Sequence, residues 1–73
     1  MSARTRPLSE HLLEELEEEC LKYLELRHRL RNMPESEERA DLEGYIYAWL
    51  TQLESTASQA REALDSEIET KDD

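Results

Sequence analysis

Apolar residues recur at three- and four-residue steps along two stretches of the chain, and a short polar break separates them. At about 100° per residue, the first set covers a stripe roughly 120–140° wide, which is typical of a helix that faces a core. The first stripe contains Leu12, Leu13, Leu16, Cys20, Tyr23, Leu24 and Leu30, with Leu26 at its border. The second stripe contains Leu42, Ile46, Trp49, Leu50, Leu53, Ala57, Ala60, Leu64 and Ile68.

The composition also favours helices. The chain has no Val, no Phe and one Gly, whereas Leu, Glu, Ala and Arg, which are good helix formers, dominate it. We therefore expect an all-α fold in which residues 9–32 and 36–68 are helical and 32–36 form a turn. Residues 1–8 are expected to be a flexible basic tail, and residues 69–73 an acidic one.

The ends of the two helices carry recognisable signals. Ser9 is expected to be the N-cap of the first helix, and Asn32 is suited to a left-handed conformation at its C-terminus. Pro34 stops one helix, and Ser36 is an alternative N-cap for the next. Because so short a connection forces neighbouring helices to be antiparallel, the chain should fold as a hairpin.

A hairpin folded about Pro34 brings definite residues of the two helices together. The expected neighbours are Cys20 and Ala48 or Trp49, Tyr23 and Tyr45, Leu16 and Gln52 or Leu53, and Arg27 and Asp41. Cys20 is then a buried small apolar residue. Arg27 is expected either to pair with Asp41 or Glu38 at the surface or to form a buried ion pair at an interface.

The segment from Gly44 to Leu50 contains no charged residue, so a helix there is apolar around nearly its whole circumference. One partner helix cannot cover such a surface. A core of this size rarely supplies more than about 3–5 kcal/mol without a disulfide, a metal or association. We therefore expect the hairpin to dimerise into a four-helix bundle. The expected interface residues are Leu16, Tyr23, Arg27, Leu42, Tyr45, Ile46, Tyr47, Trp49, Leu50 and Leu53.

The formal net charge of −10 bears on possible partners. It disfavours nucleic acid and anionic membranes, because binding to phosphate depends on Lys and Arg, and it suits basic proteins. No apolar run approaches the roughly 20 residues of a membrane span, and no secretory signal is visible. A single unpaired Cys fits a reducing compartment. The expected location is the cytoplasm.

Candidate chemistry is sparse. Glu25 and His28 have the i,i+3 spacing used in helical di-iron proteins, but both project away from the apolar stripe. There is no Gly-rich phosphate loop and no Ser/His/Asp set. We expect no enzymatic activity, no catalytic residues, no metal and no cofactor.

These observations favour a homodimeric protein-interaction or scaffold module, and the hairpin resembles Rop-type hairpin dimers in shape. One alternative is a small acidic chaperone or adaptor that needs a different partner protein. In size, acidity and shape the chain is similar to the co-chaperones of type III secretion needle subunits. A further alternative is an acidic inhibitor that mimics nucleic acid, for which Glu10, Glu14, Glu17 and Glu18 would supply the carboxylates.

Overall fold

Two antiparallel helices form the part of the protein that the computed structural model describes, residues 7–71. α1 is Leu8–Arg31 and α2 is Glu37–Lys71, and no strand occurs within these residues. α2 continues past the expected end at 68, so residues 69–71 of the expected acidic tail 69–73 are helical. The expected basic tail lies mainly outside the described residues.

The buried residues of both helices follow alternating steps of three and four, which is the heptad pattern of a coiled coil. We call this line of contact the seam. On α1 and the connection it consists of Ser9, Leu12, Leu16, Glu19, Tyr23, Leu26, Leu30 and Met33. On α2 it consists of Arg39, Leu42, Ile46, Trp49, Leu53, Thr56, Ala60, Ala63 and Glu67. Among the described residues, Arg27 alone is partly buried without belonging to the seam.

The apolar core lies in the half of the hairpin next to the connection. Leu26 is 1% exposed and forms a cluster of buried side chains with Leu42 and Ile46. Trp49 and Tyr23, which are half-buried, pack against this cluster together with other partly buried side chains. The expected position of Leu26 at the border of the stripe is therefore wrong, because it is the most buried side chain of α1.

A polar cluster interrupts the seam in its middle. The hydroxyl of Thr56 donates a hydrogen bond to Oε2 of Glu19 at 3.0 Å, and the side-chain amide of Gln52 donates to the same oxygen at 3.4 Å. Glu19 is 6% exposed and Thr56 is 2% exposed. Oε1 of Glu19 is buried without a hydrogen-bond partner, so the carboxylate is only half satisfied.

The register differs from that of a hairpin folded symmetrically about Pro34. Gln52 contacts Glu19 rather than lying beside Leu16, a displacement of about one turn of α1. Side chains in a helix lean towards its N-terminus. In antiparallel helices, the side chains of two residues at the same height therefore lean away from each other. Contacting residues instead lie further towards the C-terminus of their own helices, which shifts the register in the observed direction.

A carboxylate from α2 completes the first turn of α1. The backbone N–H of Ser9 donates to Oε2 of Glu67 at 3.2 Å, and its hydroxyl donates to Oε1 at 2.7 Å. Pro7 is the N-cap, so the expected capping role of Ser9 is wrong. Glu67 instead satisfies a free N–H at the positive end of the α1 dipole, where an anion is favoured.

Hydrogen bonds between side chains and the backbone stabilise the connection between the two helices. The hydroxyl of Ser36 accepts a hydrogen bond from the N–H of Arg39, which confirms Ser36 as an N-cap. The guanidinium of Arg39 donates from Nη1 to the carbonyls of Leu30 and Met33, both at 2.8 Å. Asn32 ends α1 at φ −100°, so the expected left-handed conformation is wrong.

Replacing Gly44 with Ala is expected to stabilise the protein. A Cβ at this helical position meets no atom within 4 Å, and Gly costs about 0.5–1 kcal/mol relative to Ala in a helix. The free energy of unfolding in urea should rise by that amount. Ala48→Gly, which changes an exposed residue one turn later, should lower it similarly. An unchanged or lower stability of Gly44→Ala would contradict the expectation.

Candidate protein-interaction surface

The expected interface residues do not lie on one surface. Six of them belong to the seam and are partly or fully buried against the other helix of the same chain. These six are Leu16, Tyr23, Leu42, Ile46, Trp49 and Leu53. Tyr45, Tyr47 and Leu50 are exposed, at 57%, 74% and 48%. Tyr45, Tyr47 and Leu50 are the most accessible of these residues to a second molecule, whereas Leu42 and Ile46 are buried within the hairpin.

Large apolar side chains remain exposed on one side of each helix. On both helices, each of these residues directly follows a seam residue in the sequence. We call this surface the apolar face: Leu13, Cys20 and Leu24 of α1, and Tyr47, Leu50, Ala57, Leu64 and Ile68 of α2. It holds six of the nine large hydrophobic side chains that are exposed in the described part of the chain, and Leu21 borders it. Exposed apolar area concentrated in this way is characteristic of interaction sites.

Both helices contribute to the same side of the hairpin. Two antiparallel helices are related by an approximate two-fold axis perpendicular to the plane that contains them. Equivalent heptad positions therefore face the same side. Cys20 follows the seam residue Glu19 and Ala57 follows Thr56, so these two positions lie on one flank. The apolar face thus runs across both helices and along much of the hairpin.

The opposite flank is largely polar. A groove of about 660 Å³ is lined there by Glu15 and Lys22 of α1 and by Tyr45 and Gln52 of α2. These four residues precede seam positions, and their meeting in one groove agrees with the two-fold relation. Tyr45 is thus separated from Tyr47, which lies on the apolar face. Although Tyr45 and Tyr47 are only two residues apart, they lie on opposite sides of the hairpin.

The structure does not bury Cys20 against Trp49, because Cys20 is exposed on the apolar face. Arg27 is half-buried beside the seam. The ion pairs described, Lys22–Glu25 and Arg39–Glu43, do not include it. Cys20 belongs to the apolar face and Arg27 lies on the same side of α1, so both can take part in contacts outside the hairpin.

Neither Glu25 nor His28 lies in a buried site, since both side chains are exposed. Within residues 7–71, no three His, Cys, Asp or Glu side chains are grouped as a metal ion would require. No helix in this part of the chain is both long and apolar enough to cross a membrane.

The charge of the hairpin is concentrated at the end away from the connection. We call residues 8–19 of α1 and 54–69 of α2 the open half. Its part of α1 carries six glutamates and no Lys or Arg, and its part of α2 carries five acidic residues and one Arg. The open half therefore has a formal charge of −10, equal to that of the whole chain. Any partner that covers it must tolerate this field.

Sequence reasoning missed the polar members of the seam. Ser9, Glu19, Thr56 and Glu67 complete the three–four spacing but are not apolar. The spacing itself was a usable signal, because strict alternation of four- and three-residue steps through Leu12, Leu16, Tyr23, Leu26 and Leu30 places residue 19, rather than 20, in the gap. Comparison of the chain with family models, curated proteins and solved structures finds no match.

Proposed function

We propose that the protein is a non-enzymatic protein-interaction module whose hairpins pair through the apolar face to form a homodimeric four-helix bundle. The observation that carries the proposal is the concentration of exposed large hydrophobic side chains on one flank of both helices. A second hairpin offers an apolar surface of the same length and width, so face-to-face packing buries both at once.

The aromatic residues of α2 allow a matched test. Tyr47→Glu places a charge on the apolar face, whereas Tyr45→Glu places one on the opposite flank, two residues away on the same helix. An unpaired charge buried at an interface costs about 3–5 kcal/mol, so Tyr47→Glu should weaken dimerisation by at least about 100-fold. Tyr45→Glu should leave it nearly unchanged.

The measurement is the solution mass at micromolar concentration, by light scattering behind size exclusion, with circular dichroism on the same samples. Wild type and Tyr45→Glu should have twice the chain mass of 8.6 kDa, and Tyr47→Glu should be a helical monomer. A monomeric wild type would contradict the homodimer. Equal effects of the two substitutions would show that the apolar face is not the site of association.

A second candidate is an adaptor or chaperone whose apolar face is covered by a different protein. The open half favours it, because eleven acidic residues and a single Arg beside an exposed apolar surface suit a basic amphipathic partner. This candidate predicts a monomer whose binding to its partner is lost in Tyr47→Glu. A nucleic-acid mimic instead predicts binding that depends on the open-half carboxylates and is abolished by salt.

A further inference from the structure

We propose that two hairpins pair with their connections at opposite ends, so that α1 of one copy lies antiparallel on α1 of the other. This inference rests on the proposed homodimer and specifies its geometry. Two hairpins stacked on their apolar faces have two symmetric arrangements. With the connections at the same end, each α1 lies on the partner's α2, whereas opposite ends place α1 on α1 and α2 on α2.

The charge of the open half distinguishes the two arrangements. Connections at the same end bring two surfaces of formal charge −10 together across a helix–helix distance of about 8–10 Å. That distance is close to the screening length of about 8 Å at physiological ionic strength, so the repulsion is not screened away. Opposite ends separate the two open halves along a molecule 56 Å long.

The α1 surface is also complementary to itself when it is reversed. On the side that bears the apolar face, Glu17 precedes Cys20, whereas Arg27 and Arg31 follow it. Cys20 lies at the middle of the 24-residue helix. An antiparallel copy centred there places the acidic half of one α1 over the basic half of the other. The half-buried Arg27 then acquires acidic neighbours from the second copy.

On α2, bulky side chains face small ones when the helix packs against a reversed copy of itself. The contact of Gln52 with Glu19 puts the middle of α1 level with residue 52. Reversal of α2 about that level places Tyr47 over Ala57 and Leu64 over Ala40, so bulky residues meet small ones. It also places Glu43 over Arg61, while Glu54, which follows the seam residue Leu53, falls over Leu50. The charges of α1 and the volumes at the Tyr47 and Leu64 contacts of α2 therefore favour the same arrangement.

Cys20 supplies the test, because the two-fold axis of this arrangement passes beside it. In the opposite-end dimer, the Cys20 residues of the two copies approach within disulfide range, whereas same-end packing places them on diagonal helices. Mild oxidation of the wild-type dimer should convert most of the chain into a disulfide-linked species of twice 8.6 kDa. Reductant should reverse the conversion.

The control moves the thiol to another exposed site on the apolar face. Cys20→Ser combined with Ala57→Cys should form no linked dimer, because residue 57 lies about ten residues, roughly 15 Å, from its counterpart across the axis. A disulfide needs Cα atoms within about 7 Å.

The solution mass, measured on the same samples, keeps the two proposals distinguishable. A monomer would overturn the homodimer itself. A dimer that Cys20 fails to link, or one that both cysteines link equally, would overturn the opposite-end geometry and leave the homodimer standing.

Discussion

Leu26→Ala is expected to leave the protein largely unfolded at room temperature. Leu26 is the most buried side chain described, and it lies between Leu42 and Ile46 at the centre of the apolar core. Truncation of a buried Leu costs about 2–5 kcal/mol, which is comparable to the about 3–5 kcal/mol that a core of this size provides. Urea unfolding followed by circular dichroism at one fixed protein concentration measures the loss, since the proposed dimerisation would also contribute to stability.

Leu21→Ala is the matched control for this substitution. Leu21 lies five residues earlier on the same helix and is 61% exposed. Its truncation removes the same atoms without opening a cavity in the seam, so the change should stay within about 0.5 kcal/mol. Equal losses in the two variants would mean that the seam of the structure does not describe the core in solution.

Thr56→Val is expected to destabilise the hairpin, although less than Leu26→Ala does. It keeps the shape of the side chain but removes the donor to Oε2 of Glu19, whose other oxygen already lacks a partner. A buried charged group that loses a hydrogen bond costs about 1–3 kcal/mol. The free energy of unfolding in urea should fall by that amount.

Removal of both polar groups should reverse this loss. Glu19→Leu combined with Thr56→Val turns the middle of the seam into an apolar layer, and such replacements are often neutral or stabilising. The double variant should therefore be at least as stable as the wild type, with a coupling energy well outside the error of the measurement. Additive effects of the two substitutions would show that the side chains do not interact.

The polar layer also bears on how the hairpin selects one register. A seam made only of Leu and Ala could shift its register by a heptad at little cost in free energy. Glu19, in contrast, accepts its hydrogen bonds from Thr56 and Gln52 in the observed register. The hydrogen bond between Ser9 and Glu67 at 2.7 Å sets the same alignment at the far end. We interpret both as register-setting contacts, a recognised use of polar groups in coiled coils.

The number and approximate bounds of the helices could be predicted because strong local signals determine them. Pro34 and the serine that caps α2 mark the connection, and the absence of Val and Phe leaves little that favours strands. These effects act within a few residues, so they can be recognised without knowledge of the tertiary structure. The observed end of α2 at Lys71 lies beyond the predicted end at 68, and the contact of Glu67 with Ser9 is a tertiary interaction that local propensity does not report.

The orientation of α1 about its own axis could not be predicted in the same way. Its apolar residues cover both the seam and the apolar face, so the centre of the stripe falls between a surface that packs against α2 and one that is exposed. Cys20 and Leu24 were therefore expected inside, whereas Glu19 and Leu26 occupy the seam. Hydrophobic periodicity gives an average direction, and it cannot separate two adjacent apolar surfaces on one helix.

The contact between Ser9 and Glu67 brings the beginning of α1 and the end of α2 to a single pole of the hairpin. A protein joined to either terminus would consequently be carried at that pole. In the proposed opposite-end dimer the two poles would point away from each other, and each copy is 56 Å long. The assembly would then act as a rigid spacer that holds two attached domains several nanometres apart, facing in opposite directions.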